Sequence, residues 1–405
     1  MSKVRAKNRI RRNRILRALL EDGGLSLTDL ARRTGISLPM VSSIASTLKR
    51  DRFVVLTEDR GADRAGRPPI VARLNGEAGF VLGIDLGHRN TNMVLLNLEQ
   101  AVVAERHEQS LSLGNDPAII DWIADQVAAV LKGAGVSAKR LLGVGVSIPG
   151  IVQGRKGISE SYLHFGPTPV REILEKRLKR PVHIEHDAKA MALGERWFGA
   201  ARNVADALCL NIGWGLGLGI LIDGRLYYGR DGYAGEFGHI RIRDDGPLCY
   251  CGKRGCLETV ASGMAIGRNA RERIAAGARS KLVDMAGGTI ESIDAALVVK
   301  AATEGDQFSI EVLEESGRYL GEGIGGLINL FNPELIILGG RVSQAAGFLL
   351  DAVRSAAIKN SHVKLHPGVE FTVSTLGTKA GALGVAMMAA RDIFEVEHLN
   401  PSAYV

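Results

Sequence analysis

Three cysteines stand within eight residues, Cys249-Tyr-Cys251-Gly-Lys-Arg-Gly-Cys256, in a chain that has four in all. Just upstream, Gly235-Glu236-Phe-Gly-His239 offers an imidazole. Three thiolates and one imidazole are soft donors in the number that closes a tetrahedral zinc centre, and they disfavour magnesium or calcium. A closed shell leaves no open position, so the Zn2+ expected on His239, Cys249, Cys251 and Cys256 is structural. Gly252 and Gly255 permit the tight turns that such a knuckle needs. Cys209 falls in an apolar run and reads as a core residue. So few cysteines do not make a disulfide scaffold, and they fit a reducing cytoplasm.

Positive charge is confined to one end of the chain. Residues 1–75 hold 17 Lys+Arg against 7 Asp+Glu, a net of +10, while the other 330 residues carry −3. A basic head on a near-neutral body points to a polyanionic partner. Between Asn8 and Glu21, the apolar Ile15, Leu16, Leu19 and Leu20 recur at helical spacing. Ser26-Leu-Thr-Asp29 is a capping box for a second helix, with Leu30 and Ala31 inside and Gly35 at its end. Ser37 can cap a third helix, with Pro39 in its first turn and Val41, Ile44 and Leu48 as its core stripe. The short turn between the second and third helices is helix-turn-helix spacing.

Residues 53–58 and 70–74 read as the strands of a wing. Its tip, Gly66-Arg67-Pro68-Pro69, presents Arg67 to a narrow minor groove, whose negative potential attracts arginine. Ser37, Leu38, Pro39, Met40, Ser42 and Ser43, at the start of the third helix, are the candidates for major-groove contact with double-stranded DNA.

The elements that position the cysteines belong to a glycine-rich body. Residues 80–87, 93–98, 141–147, 182–185, 208–212, 218–222 and 335–338 read as strands, several ending in glycine turns such as Gly213-Trp214-Gly215-Leu216-Gly217. Strands that begin as hairpins and later alternate with helices describe a two-lobed α/β body, with a ligand cleft expected between the lobes. The organisation expected for the 405 residues is a DNA-binding domain over 1–75, a first lobe over 76–195 completed by a helix over 381–397, and a second lobe over 196–380. The longest apolar stretch, residues 208–222, contains Asn211 and four glycines and falls short of a membrane span. The basic N-terminus has no apolar segment of the secretory kind, so a cytoplasmic protein with no membrane partner is expected.

These pieces together resemble the ROK family of sugar-responsive repressors, open reading frames of unknown role and sugar kinases. The matching residues are Gly83-Ile-Asp85-Leu-Gly87, Val144-Gly-Val-Ser-Ile-Pro149-Gly150, His186-Asp187-Ala188, Gly235-Glu236-Phe-Gly-His239, Cys256-Leu-Glu258, Asn332-Pro333-Glu334 and Gly339-Gly340. The head resembles the repressor branch, through Asn8 and Gly66-Arg67-Pro68. The resemblance implies an actin-like/sugar-kinase ATPase fold behind a winged helix-turn-helix. It implies that Asp187 stands where kinases keep the base that deprotonates a sugar hydroxyl. By the same resemblance, Glu236, His239 and Glu258 hold sugar hydroxyls, with His239 also on zinc.

Departures from the kinase pattern fall on the phosphate turns. Gly87-His88-Arg89-Asn90 replaces Gly-Thr-Lys, Gly213-Trp214-Gly215 replaces Gly-Thr-Gly, and Arg341 replaces a glycine. An indole in place of a small hydroxyl removes a phosphate donor and fills its space. In the sugar site, His186 and Lys189 replace asparagines, and Tyr162 falls where an asparagine often meets sugar. The reading expected is therefore a regulator, not an enzyme: a repressor of carbohydrate-utilisation genes binding an operator as a homodimer or homotetramer, with a sugar or sugar phosphate as effector and Asp187 as a vestigial base. The alternatives are a sugar kinase with an appended head and a ligand-independent regulator.

Overall fold

The computed structural model describes residues 3–58, 68–109, 113–341 and 346–395. The chain forms two compact units: residues 1–148 with 156–185 and 385–405, and residues 149–155 with 186–384.

The first unit opens with helices α1 (Lys3–Asp22), α2 (Leu27–Thr34) and α3 (Leu38–Arg50), and strands β1 (Leu25–Ser26), β2 (Val54–Glu58) and β3 (Ile70–Leu74). Helix α1 starts five residues ahead of Asn8, since lysine, arginine and alanine have high intrinsic helix propensity. Ser26 accepts the Asp29 N–H at 3.0 Å, and Gly35 ends α2 in the left-handed region at φ 66°. Ser37 takes the N-cap position of α3 but makes no side-chain capping bond. The core stripe of α3 is Val41, Ala45 and Leu48; Ile44 is half-buried, one position off the seam. Strands β2 and β3 pair antiparallel from Val54–Leu74 to Glu58–Ile70, and β1 adds a third strand that the sequence did not signal. Gly66 and Arg67 lie outside the described residues.

The rest of this unit is a sheet ordered β10-β7-β4-β5-β6, built from β4 (Phe80–Leu86), β5 (Asn90–Asn97), β6 (Val102–Gln109), β7 (Leu141–Ile148) and β10 (Val182–His186). The two-residue strands β8 (Val152–Gln153) and β9 (Ile158–Ser159) fall between the last two in sequence. Helices α4 (Ala118–Gly133) and α5 (Val170–Leu178) follow β6 and β9 in the chain.

The second unit repeats this plan. Its sheet runs β13-β12-β11-β14-β15, from β11 (Ala207–Ile212), β12 (Leu216–Ile222), β13 (Arg225–Leu226), β14 (Leu335–Gly339) and β15 (Glu370–Val373). In both sheets an antiparallel hairpin forms first and a parallel strand then joins its first member. The turns Gly87-His88-Arg89 and Gly213-Trp214-Gly215 therefore occupy equivalent positions, although no sequence period announces the repeat. Helix α6 (Asp187–Phe198) packs on β11 and β12, and seven more helices complete this half: α7 (Glu258–Ala261), α8 (Gly263–Ala275), α9 (Leu282–Met285), α10 (Ala295–Thr303), α11 (Gln307–Phe331), α12 (Ala346–Asn360) and the first turn of α13 (Ala380–Glu395). Among the described residues, no helix is long and apolar enough to cross a membrane.

The remainder of α13 belongs to the first unit. Gly145 admits it closely, since a Cβ there would stand 2.0 Å from the Val385 carbonyl oxygen. Buried His183 of β10 holds it by Nδ1, 2.6 Å from Asp392, with Nε2 3.9 Å from Glu185. Burial opposes the charge on His183, but Asp392 and Glu185 overcome it and raise its pKa to about 9. A histidine raised above its unfolded value of about 6.5 stabilises below that pH and loses its contribution as pH rises through the folded value. Asp392→Asn should therefore cost on the order of 2 kcal/mol at pH 6, a figure reduced for the partial exposure of Asp392, and the deficit should vanish by pH 10. Denaturant unfolding at the two pH values checks this; a pH-independent deficit would contradict it.

At its far end α13 meets the head. Arg17 of α1 pairs with Glu395 and, at 2.8 Å, with Glu21, while Arg391 lies 3.8 Å from Glu21. Gln100, in the turn between β5 and β6, donates its side-chain amide to the Leu20 carbonyl near the end of α1.

Candidate functional site

Two glycines bring the segment 235–239 flush against β12. A Cβ on Gly235 would lie 2.1 Å from the Leu218 carbonyl oxygen, and one on Gly238 would lie 2.4 Å from that of Leu216. Gly235 also takes φ 100°, which suits glycine alone. Phe237 is buried, so the chain reverses there and turns His239 toward the cysteine knuckle. The knuckle closes on Gly255 at φ 72°, where a side chain would collide with the Arg243 backbone.

His239, Cys249, Cys251 and Cys256 bring their donor atoms within 4.8 Å of one another. Cys249 Sγ lies 3.5 Å from His239 Nδ1, and Cys251 Sγ lies 3.6 Å from Cys256 Sγ. A tetrahedron with 2.3 Å metal–sulfur bonds has edges of about 3.8 Å, so these separations suit one ion held by all four. Burial pushes the Cys249 thiol up to about 12, so a cation is needed to hold it as thiolate at neutral pH. Cys209 lies apart from this group, fully buried with Met191, Leu221 and Ile337.

Carboxylates and hydrogen-bonding groups gather around the metal group. Glu258 Oε1 is 3.5 Å from Cys249 Sγ and 3.9 Å from His239 Nδ1, while Glu236 is 3.9 Å from His239 Nε2. Tyr250 Oη, 2.9 Å from the same Nε2, is a neighbour that the sequence did not flag. The glycine turn then links this end of the site to the other. Glu258 Oε2 comes 2.9 Å from where a Cβ of Gly215 would stand, and His186 Cε1 comes 3.3 Å from that of Gly217.

His186 ends β10 and Asp187 begins α6. The Ala188 N–H is shared: Asp187 Oδ1 accepts it at 2.6 Å and His186 Nδ1 at 3.3 Å. Asn211 Nδ2 donates to the other oxygen, Asp187 Oδ2, at 3.2 Å. Asn211 was legible as the single polar residue of an apolar strand. Tyr162 belongs to the first unit, where its ring meets His88 edge to face with centroids 5.1 Å apart. Trp214 is 45% exposed at the tip of the turn.

Burial pushes the Asp187 carboxyl up to about 6, against the Ala188 N–H and the Lys189 ammonium, which lower it. Between its unfolded value and that pH the native state binds more protons than the unfolded chain, so this group's contribution to stability falls as pH rises. Asp187→Asn should stabilise the protein by on the order of 2–3 kcal/mol at pH 7.5 and by little at pH 4. Urea titrations read the difference; equal stability at pH 7.5 would contradict the buried-charge account.

On the head, Ser37, Leu38, Pro39, Ser42 and Ser43 are exposed and Met40 is half-buried, on the side of α3 away from Val41, Ala45 and Leu48. An apolar Leu38 left 45% exposed at the start of this helix is available to a groove or its thymine methyls.

Comparison with known proteins agrees with this geometry. Residues 81–392 match the ROK family, and residues 9–55 match a winged helix-turn-helix DNA-binding domain. The xylose repressor of Caldicellulosiruptor bescii is 29% identical over 94% of this chain and 95% of its own. A crystal structure of a ROK family transcriptional regulator, a homologue of the Escherichia coli MLC protein, superposes with TM-score 0.79 at 28% identity, covering 96% of this chain and 98% of that one. A ROK family glucokinase from Streptomyces griseus, solved with glucose and AMPPNP, gives TM-score 0.69 at 32% identity over 77% of this chain and 99% of its own. The chain belongs to the ROK family. Its winged helix-turn-helix makes it a DNA-binding transcriptional regulator of that family, and the glucokinase match covers only 77% of this chain.

Proposed function

We propose that this protein represses carbohydrate-utilisation genes by holding an operator as a homodimer or homotetramer, and that a sugar or sugar phosphate bound in the body changes its grip. The observation that carries this reading is a DNA-reading head joined to a sugar-kinase body whose turn holds Trp214 in place of a phosphate donor. Ser37, Leu38, Pro39, Met40, Ser42 and Ser43 would read the major groove, with Arg67 of the wing in the minor groove. Two-fold symmetry places the recognition helices about 34–36 Å apart, on successive turns of the duplex.

In the body, Glu236 and Glu258 accept hydrogen bonds from sugar hydroxyls, His239 offers Nε2, and Asp187 and His186 meet the opposite end of the ligand. Zinc on His239, Cys249, Cys251 and Cys256 would pin the knuckle and fix the imidazole's orientation. A ligand changes DNA affinity only if it binds the two arrangements of the protein unequally.

The kinase reading rests on Asp187 and on the likeness of the body to a glucokinase, but the Asp187 carboxylate already accepts from the Ala188 N–H and the Asn211 amide. The discriminating experiment is a retardation assay with a palindromic duplex, run beside an ATP-consumption assay with hexoses. A regulator retards the duplex and leaves ATP intact. Hexose-dependent ATP consumption at ordinary enzymatic turnover would overturn the proposal.

A further inference from the structure

Tyr250 stands in the chain between two of the candidate metal ligands. The Gly252 N–H donates to the Cys249 carbonyl at 3.0 Å and closes a tight turn whose central residues are Tyr250 and Cys251. The Cys251 thiol turns toward Cys256, 3.6 Å away, while the Tyr250 ring reaches His239. The two rings meet edge to face with centroids 5.0 Å apart, and Tyr250 Oη lies 2.9 Å from His239 Nε2. The other imidazole nitrogen, Nδ1, is the one beside the thiols, 3.5 Å from Cys249 Sγ. Tyr250 is 67% exposed, so its ring can turn away without opening a hole in the core. All of these groups belong to the second unit.

A nitrogen that binds a cation gives up its proton, and a neutral imidazole then carries its one proton on the other nitrogen. With Nδ1 facing the metal group, His239 has a single donor, Nε2–H, and the phenolic oxygen of Tyr250 accepts it. The same Nε2 is the atom that the sugar reading assigns to a sugar hydroxyl, and one N–H makes one well-aligned hydrogen bond at a time. Glu236, another residue of the sugar reading, lies 3.9 Å from that nitrogen. A sugar bridging Glu236 and His239 therefore needs the place that Tyr250 Oη holds.

We infer that Tyr250 is a displaceable stand-in for a sugar hydroxyl: it satisfies His239 Nε2 in the absence of sugar, turns away when the sugar arrives, and so sets the affinity of the sensor. This rests on the sugar-sensing reading above and adds the residue that tunes it. Molecules in which Tyr250 holds Nε2 do not offer that nitrogen, so the apparent affinity falls with the fraction in which it has turned away.

Calorimetry on the full, zinc-loaded chain tests it. The probes are xylose, glucose, mannose, N-acetylglucosamine and the 6-phosphates of the last three, followed by the monodeoxy analogues of whichever binds most tightly. Tyr250→Phe keeps the ring and removes only the oxygen; it should bind that sugar about three- to ten-fold more tightly than the native protein and keep its zinc. Tyr250→Ala, at the same exposed position, should do likewise. One deoxy analogue, lacking the hydroxyl that meets Nε2, does not compete with Tyr250, and its affinity should be the same in all three proteins. A tyrosine with a merely structural role would not single out one hydroxyl. Unchanged or weaker binding in Tyr250→Phe overturns the inference, as does a gain equal for every deoxy analogue, or loss of zinc from that variant. A native protein that binds none of these sugars overturns the sugar-sensing reading itself, and the inference with it.

Discussion

Cys251→Ala is expected to empty the metal site and to cost the second unit several kcal/mol of stability. Cys251 is exposed, so its side chain contributes little packing, and the loss reports the ion rather than the core. In the proposed site, an ion held by His239 and the three cysteines would tie the knuckle to the segment 235–239, next to Glu236 and Glu258 of the proposed sugar site. The variant should retain less than about one-tenth of an equivalent of zinc and should lose its sugar response, while the head still binds DNA non-specifically. Cys209→Ala is the control: it leaves a small cavity in the core, costs about 1–2 kcal/mol, and keeps the metal. Elemental analysis with thermal unfolding reads both variants. A full equivalent of zinc in Cys251→Ala would contradict the ligand set.

The second large effect is expected on the head. Replacing Ser42 and Ser43 together by glutamate puts two carboxylates on the exposed face of α3, where the proposed interface brings phosphates and base-edge acceptors. Operator affinity should fall at least 100-fold, about 3 kcal/mol, from lost hydrogen bonds and charge repulsion. Both serines are outside the Val41–Ala45–Leu48 stripe, so zinc content and sugar binding by the body should be unchanged. Fluorescence anisotropy at fixed salt measures the first, and calorimetry the second. Undiminished affinity would move the DNA interface to another face of the head.

The head was legible because its signals are local. A capping box, a left-handed glycine and a proline in a first turn each act within a few residues, and Ser26, Gly35 and Pro39 take up those places. The cysteine knuckle was legible for the same reason, and His239 followed from its distance along the chain. Helix α1 began earlier than its apolar spacing suggested, because lysine, arginine and alanine have high intrinsic helix propensity.

Long-range pairing was far less visible. The matched strand orders of the two units depend on β14 joining β11 across more than a hundred residues, with β15 added beyond β14, and no local pattern encodes that. The clamp of His183 on Asp392 joins residues 209 apart in sequence. Asn211 on Asp187, Tyr250 on His239 and Lys189 on Gly232 are likewise meetings that only the fold arranges.

The measurement closest to the heart of the account combines selection and release. Duplexes enriched from a random pool by the full-length protein are titrated with neutral and anionic sugars, and retardation is followed at constant salt. A regulator of this design should enrich a two-fold symmetric sequence with half-sites one helical turn apart, and a sugar should release it without any nucleotide. A pool that yields no sequence above non-specific binding, or a selected duplex that no sugar releases, would contradict it.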